Sequence, residues 1–276
     1  MKGYTDLLRE AVERKGTLLC FGMDPVIERM KVDRSEDIAA GIYGYFSRIL
    51  HAISDRVSAV KPNLGFYLQY GLDGISALLR LVRLSRSLNL PVIIDGKIGD
   101  IGRTSAAYAG FIFDQVGADA VTLNPYMGYD ALAPFFEYDE NGFYVLALTS
   151  NPGARDFQYS RVDSGAPLYD KILREICAWN RRHNAVGAVI GATHREFGEC
   201  LSVIRETGCE LPLLVPGVGA QGASYGRTLE LLNAAGYDSG IVRINASSAV
   251  SYAHEKYGGA DIEEAALKAV NDILAH

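Results

Sequence analysis

Short apolar, β-branched runs recur along the chain, each closing on a polar turn and most followed by a helical pattern. This recurrence restricts the fold more than any other feature. The runs are Thr17–Met23 (TLLCFGM), Val57–Lys61 (VSAVK), Pro91–Lys97 (PVIIDGK), Ala118–Asn124 (ADAVTLN), Phe143–Thr149 (FYVLALT), Val186–Gly191 (VGAVIG), Pro212–Val218 (PLLVPGV) and Ser239–Asn245 (SGIVRIN). Runs that are continuously apolar, rather than alternating, read as parallel strands buried on both faces. Amphipathic helices are expected over Ser35–Ser54, Gly74–Leu88, Arg103–Val116, Leu168–His183, His194–Thr207, Ser224–Ala235 and Asp261–Ala275. Eight such alternations fit a closed (β/α)₈ barrel, with the opening helix MKGYTDLLREAVERKG closing its bottom. An open doubly wound sheet usually carries GxGxxG after its first strand, and FGMDPV stands there instead. No linker, low-complexity tract or charge block divides residues 1–276, so they are expected to form a single barrel domain.

Composition narrows the function classes. The chain is 49% hydrophobic and 22% charged, a globular balance. Its 27 Lys and Arg against 33 Asp and Glu leave a net charge of −6, which argues against nucleic-acid or anionic-membrane binding. No window approaches the roughly 18 apolar residues of a membrane span, and the N-terminal helix lacks the apolar core of a signal peptide. Cys20, Cys177, Cys200 and Cys209 are widely spaced, as free thiols in a reducing compartment would be. A cytoplasmic protein is expected. The five histidines form no HxxxH or HExxH pattern, so no metal site is expected.

A barrel places its chemistry where strands end. Polar residues gather there: Asp24, Lys61, Asp95 and Lys97, Asn124, Thr149 and Ser150, Gly217 to Gln221, and Asn245 to Ser248. The densest segment is IIDGKIGDIGRTSAAYA, Ile93 to Ala109. Strand periodicity puts Asp95 and Lys97 on one face. A lysine between carboxylates stays protonated, because neighbouring negative charge favours the ammonium. By itself the array reads equally as a surface ion pair at a strand end.

This segment resembles the signature of the orotidine 5′-phosphate decarboxylase family, with Ile93, Asp95, Lys97, Asp100, Ile101 and Thr104 all in place. FGMDP, KPNLGFYLQYG, VTLNPYMGYDAL, LTSNPGARDFQ and VPGVGAQG follow in the family's order, from about Phe21 to Gln221. The chain is most similar to the longer bacterial and archaeal branch. The resemblance implies conversion of orotidine 5′-phosphate to UMP in de novo pyrimidine synthesis, without a cofactor. It implies that Lys97 is the general acid protonating C6, with Asp95 and Asp100 holding its charge and position. Asp24 and Lys61 are then ribose ligands, and Ser150 and Pro152 meet the pyrimidine. Asn124, a strand terminus, reads equally as a ligand or as a structural cap. The resemblance further implies a homodimer in which Asp100 and Thr104 reach the partner's site.

For the phosphate, the Gly-rich PGVGAQGASYG offers backbone donors, and Gln221 matches the family's phosphate-contacting glutamine. The pattern then breaks. The family ends its eighth strand with an Arg in an Asn-Ser-Ser-Arg context, whereas this chain reads RINASSAVSYA, with Ser247 or Ser248 at that place. Three substitutes stand open: Arg243 from a shifted register, Arg227, or the Ser247 and Ser248 hydroxyls with the following helix N-terminus. Two other functions also fit. One is a magnesium-dependent phosphosugar decarboxylase or aldolase of the same barrel group; the other is a nucleotide-binding barrel without catalysis.

Overall fold

The computed structural model describes residues 3–30, 37–218, 224–258 and 260–276. Its strands are β1 (Leu19–Met23), β2 (Ala59–Pro62), β3 (Ile93–Ile98), β4 (Ala120–Leu123), β5 (Gly142–Leu148), β6 (Val186–Ile190), β7 (Leu213–Pro216) and β8 (Val242–Ala246). All pair in parallel, in the order β2-β1-β8-β7-β6-β5-β4-β3. The two ends of this order meet: Val60 N–H donates to Pro91 O at 2.9 Å, and bridges join Val60 to Val92 and Asn63 to Asp95. The expected (β/α)₈ barrel is therefore the fold.

Strand alternation divides the core into two layers. Leu19, Phe21, Ile94, Val121, Val145, Leu213 and Val215 point outward against the helices. Cys20, Ala59, Ile93, Ala120, Tyr144, Val189 and Leu214 point inward and fill the barrel. Small side chains on β1, β2 and β4 face the large Tyr144 and Leu214, so the interior packs solid rather than leaving a pore.

The opening helix α1 (Tyr4–Lys15) seals the N-terminal end, as expected. Its buried Tyr4 and Leu8 belong to the interior layer. Burying side chains of this size stabilises by about 1.5–3 kcal/mol each. Tyr4 OH lies 3.0 Å from Tyr144 OH. A Cβ on Gly142 would come within 2.1 Å of the Tyr4 ring, so only glycine lets the helix seat this deeply.

Several boundaries differ from the sequence expectation. The helix at Tyr129–Phe136 was not anticipated; it starts from Gly128 and contains Pro134, both of which mask a helical pattern. The expected strand from Ser239 begins only at Val242, because the Asp238 carboxylate accepts from Gly240 N–H at 2.9 Å and winds Ser239–Ile241 into a 3₁₀ turn. The expected helix Arg103–Val116 is α-helical over Gly102–Gly110 and continues as a π-helix through Phe111–Val116. Among the described residues no helix is long and apolar enough to cross a membrane.

Candidate active site

The end of β3 is built by a kink. Lys97 has φ +47°, in the left-handed region, and the register between β3 and β4 shifts between Ile94 and Ile98. Left-handed backbone costs a non-glycine residue roughly 1–2 kcal/mol, so something must hold it. The Lys97 N–H, turned by the kink, donates to Thr122 Oγ1 at 2.9 Å. A Cβ on Gly96 would stand 2.9 Å from Ile98 Cγ1, so the intervening glycine lets the chain fold this tightly. Asp95 and Lys97 therefore meet through a kink, not through the regular alternation that sequence spacing implies.

Asp95 is the centre of the site. It is 9% exposed and accepts four hydrogen bonds. Lys97 Nζ (2.6 Å) and Thr122 Oγ1 (2.9 Å) reach Oδ1, while Lys61 Nζ (2.9 Å) and Asn63 Nδ2 (3.3 Å) reach Oδ2. Burial alone pushes such a carboxyl up. The Lys61 and Lys97 charges and their hydrogen bonds outweigh it and hold Asp95 well below the usual carboxylate range. Lys61 is the converse: burial opposes its charge, yet Asp95 and Asp24 keep it protonated above the ordinary lysine range. The result is a fixed cation–anion–cation row. Lys61 is buried within it, and Lys97 stands half-exposed at its open end.

This row lines a cavity of about 460 Å³ with Thr122, Ser150 and Gln158. Ser150 is placed by its neighbour: Thr149 N–H donates to Gln158 Oε1 (2.8 Å), and Gln158 Nε2 donates to Thr149 Oγ1 (2.7 Å). Pro152 is exposed in the turn beyond, where Ala154 N–H donates to Asn151 O. Asp24 sits at the end of β1, where Ser247 Oγ donates to its Oδ2. Its buried Oδ1 has no hydrogen-bond partner among the described residues. A Cβ on Gly22 would fall 2.5 Å from Ser247 Oγ, so glycine allows that approach.

Other anticipated residues are not brought to Asp95. Asp100 Oδ1 accepts from Ile101 N–H at 2.8 Å, and no hydrogen bond or ion pair joins it to Lys97 among the described residues. Thr104 is exposed on the helix that follows. Asn124 is also exposed, and its Oδ1 accepts from Tyr126 N–H at 3.0 Å, capping the turn Pro125–Met127. Gln221 lies outside the described residues.

Arg243 corrects the sequence reading. It is fully buried toward the N-terminal end of the barrel, against the opening helix. Its guanidinium donates to the carbonyls of Leu8 (2.6 Å), Val242 (2.8 Å) and Gly240 (3.2 Å). Alternation put Arg243 and Asn245 on one face correctly, but height along the barrel axis decides which end each serves. Arg227 is exposed and pairs with Glu230 at 2.9 Å. Ser248 borders a separate concavity of about 500 Å³ with Val218, Ser224 and Arg29. The Arg29 guanidinium lies 3.8 Å over the Tyr252 ring and pairs with Glu255.

Sequence reasoning missed Asn63, Thr122 and Gln158. Thr122 left the clearest signal, as the one polar residue inside the apolar run AVTL. No group of three or more His, Cys, Asp or Glu side chains poised to hold a metal ion occurs among the described residues.

With this geometry in view, the chain can be set beside known proteins. Residues 17–258 match the family model described as Orotidine 5′-phosphate decarboxylase / HUMPS family. The chain is 42% identical over 272 residues to orotidine 5′-phosphate decarboxylase of Herpetosiphon aurantiacus, covering 98% of this chain and 96% of that one. Among solved structures it is similar to Leishmania donovani OMP decarboxylase, with TM-score 0.77, 32% identity and coverage of 99% and 98%. It is also similar to Leishmania donovani UMP synthase, with TM-score 0.81 and 34% identity, covering 100% of this chain but only 56% of that one.

Proposed function

The chain belongs to the orotidine 5′-phosphate decarboxylase / HUMPS family, and from that premise we propose how its residues convert orotidine 5′-phosphate to UMP. The observation that carries the reading is the Lys61–Asp95–Lys97 row at the barrel mouth. Breaking the C6–carboxylate bond leaves its electron pair on C6 as CO₂ departs. No neighbouring carbonyl can delocalise that pair, so a preorganised cation must stabilise it. Lys97 is that cation, and its Nζ gives C6 the proton. Asp95 stays ionised because its surroundings depress its pKa, and it faces the departing carboxylate while anchoring Lys97. Lys61, together with Asn63 and Thr122, keeps Asp95 from turning away.

In this reading the free Oδ1 of Asp24 accepts from a ribose hydroxyl, as Lys61 donates to one. Ser150 hydrogen-bonds the pyrimidine imide, and Pro152 and Asn124 flank the base. The phosphate falls to the side of the mouth marked by Ser247 and Ser248, and Gln221 is assigned to it from the family's pattern alone. Arg29 lines the concavity beside Ser248, whereas Arg243 is engaged at the other end of the barrel.

We further propose that residues 1–276 act as one domain in a cytoplasmic homodimer with shared active sites. Among the described residues no hydrogen bond or ion pair joins Asp100 to its own chain's Lys97, and Thr104 is exposed. The surface around them carries exposed apolar side chains, Ile101 (57%), Tyr108, Tyr126 (88%) and Met127. Such a patch favours burial against a second copy.

The test is a direct assay of orotidine 5′-phosphate decarboxylation with and without a chelator. Turnover unaffected by the chelator supports the reading. A magnesium-dependent activity indifferent to orotidylate would transfer the chain to the phosphosugar branch of the barrel group. Orotidylate binding without release of CO₂ would make it a non-catalytic barrel.

A further inference from the structure

We propose that Thr122 is a positioning residue for the decarboxylation, acting on Asp95 and Lys97 together; this rests on the function proposed above. Thr122 is 1% exposed and sits on β4, not on the strand that carries the pair. Its hydroxyl accepts from Lys97 N–H at 2.9 Å and donates its only proton to Asp95 Oδ1 at 2.9 Å. One oxygen atom thus fixes the backbone of the proton donor and the carboxylate of its anion.

Both contacts have work to do. The Lys97 backbone is left-handed, and its N–H has left the regular β3–β4 register. Without the Thr122 acceptor that N–H would lose its hydrogen-bond partner, and the kink would relax toward an ordinary strand. Relaxation would swing the lysine side chain away from the cavity. On the other side, Asp95 Oδ1 is shared between Lys97 Nζ and Thr122 Oγ1. The hydroxyl sets the carboxylate plane so that one oxygen serves Lys97 and the other Lys61. Thr122 needs no contact with substrate to affect the rate, because a misplacement of about 1 Å between reacting groups can cost about 100-fold.

The variants are Thr122→Val, which keeps the shape and removes both hydrogen bonds, and Thr122→Ser, which keeps the hydroxyl. Thr122→Val is expected to lower kcat about 10- to 100-fold, the range for losing a hydrogen bond to a charged group. Binding of UMP should stay within about 3-fold of the parent, since uniform ligand binding does not pass through this residue. Thr122→Ser should restore kcat, because it keeps the hydroxyl that bridges Lys97 N–H and Asp95 Oδ1. Comparable losses in kcat and UMP affinity, or no recovery of kcat in Thr122→Ser, would overturn the assignment and leave Thr122 a packing residue. A Thr122→Val enzyme with parental kcat would do the same. An inactive parent would overturn instead the function on which the assignment rests. If Thr122→Val fails to fold, the same readouts on Thr122→Ala and Thr122→Cys, whose thiol is a weaker donor, decide the matter by their order.

Discussion

Replacing Lys61 by methionine isolates the electrostatic core of the site from its chemistry. The Lys61 side chain is 5% exposed and its ammonium lies 2.9 Å from an Asp95 side chain that is 10% exposed. Methionine fills much the same volume and carries no charge. The remaining cation, Lys97, is partly screened at 49% side-chain exposure and replaces little of the lost charge. Coulomb attraction at this separation is about 6 kcal/mol at an effective dielectric of about 20. Breaking one side of a buried pair costs about 3–5 kcal/mol once the relieved desolvation of the lysine is counted. For a chain of this length that corresponds to a fall in Tm of about 5–9 °C. Thermal unfolding at pH 7, without ligand, measures it directly. A double-mutant cycle with Asp95→Asn should show strong coupling, with Asp95→Asn costing far less once Lys61 is gone.

The pH dependence has a defined sign. Asp95 has a depressed folded pKa, so its contribution is complete above the unfolded carboxyl value of about 3.9 and fades as pH falls through the folded value. Lys61 has a raised folded pKa, so its contribution is complete below about 10.4 and fades as pH rises through its folded value. The Tm gap between parent and Lys61→Met should therefore be flat across neutral pH and narrow in strong acid. A gap under about 1 °C at pH 7, or full additivity with Asp95→Asn, would refute the account of a buried, mutually dependent pair.

Three further outcomes are expected. Lys97→Ala should abolish turnover while leaving Tm near the parent value, because the half-exposed ammonium contributes little to stability; decarboxylation near the parental rate would remove it from the mechanism. Mixing the inactive Asp95→Ala and Asp100→Ala chains should recover part of the activity through hybrid dimers, and no recovery after verified subunit exchange would count against shared sites. Gly142→Ala should cost about 1–3 kcal/mol by displacing the Tyr4 ring, with kcat unchanged because the barrel floor lies opposite the mouth.

The barrel was legible because its strands announce themselves: AVTL and VGAVI are buried end to end, and only parallel strands covered on both sides need that pattern. The positions of Asp95, Lys97, Lys61, Asp24 and Ser150 were legible for a related reason, since each ends an apolar run. What the run could not show is how strands are set against one another. Lys61 pairs with Asp95 across the β2–β3 seam, held by isolated bridges between strands about 30 residues apart in sequence. The kink at Lys97 has no local signature beyond Gly96, because the groups that sustain it come from β4. Arg243 shows the same limit from the other side: period two names its face, while the opening helix, more than 200 residues earlier, decides its partners. Among the described residues no hydrogen bond or ion pair joins Asp100 to Lys97, so Asp100 and Thr104 were legible only through the family's pattern.

The left-handed backbone at Lys97 sets stability and activity against each other at a single position. A glycine would occupy φ +47° without strain, so Lys97→Gly relieves about 1 kcal/mol of conformational cost while deleting the proposed proton donor. A library of this protein sorted only for heat resistance would be drawn toward that change, and so would a design procedure that chooses residues to suit the backbone. Both would drift toward a better-folded, inert barrel. Retention of lysine at position 97 through any such enrichment thus becomes a marker that the selection has kept hold of chemistry, readable from sequence counts alone.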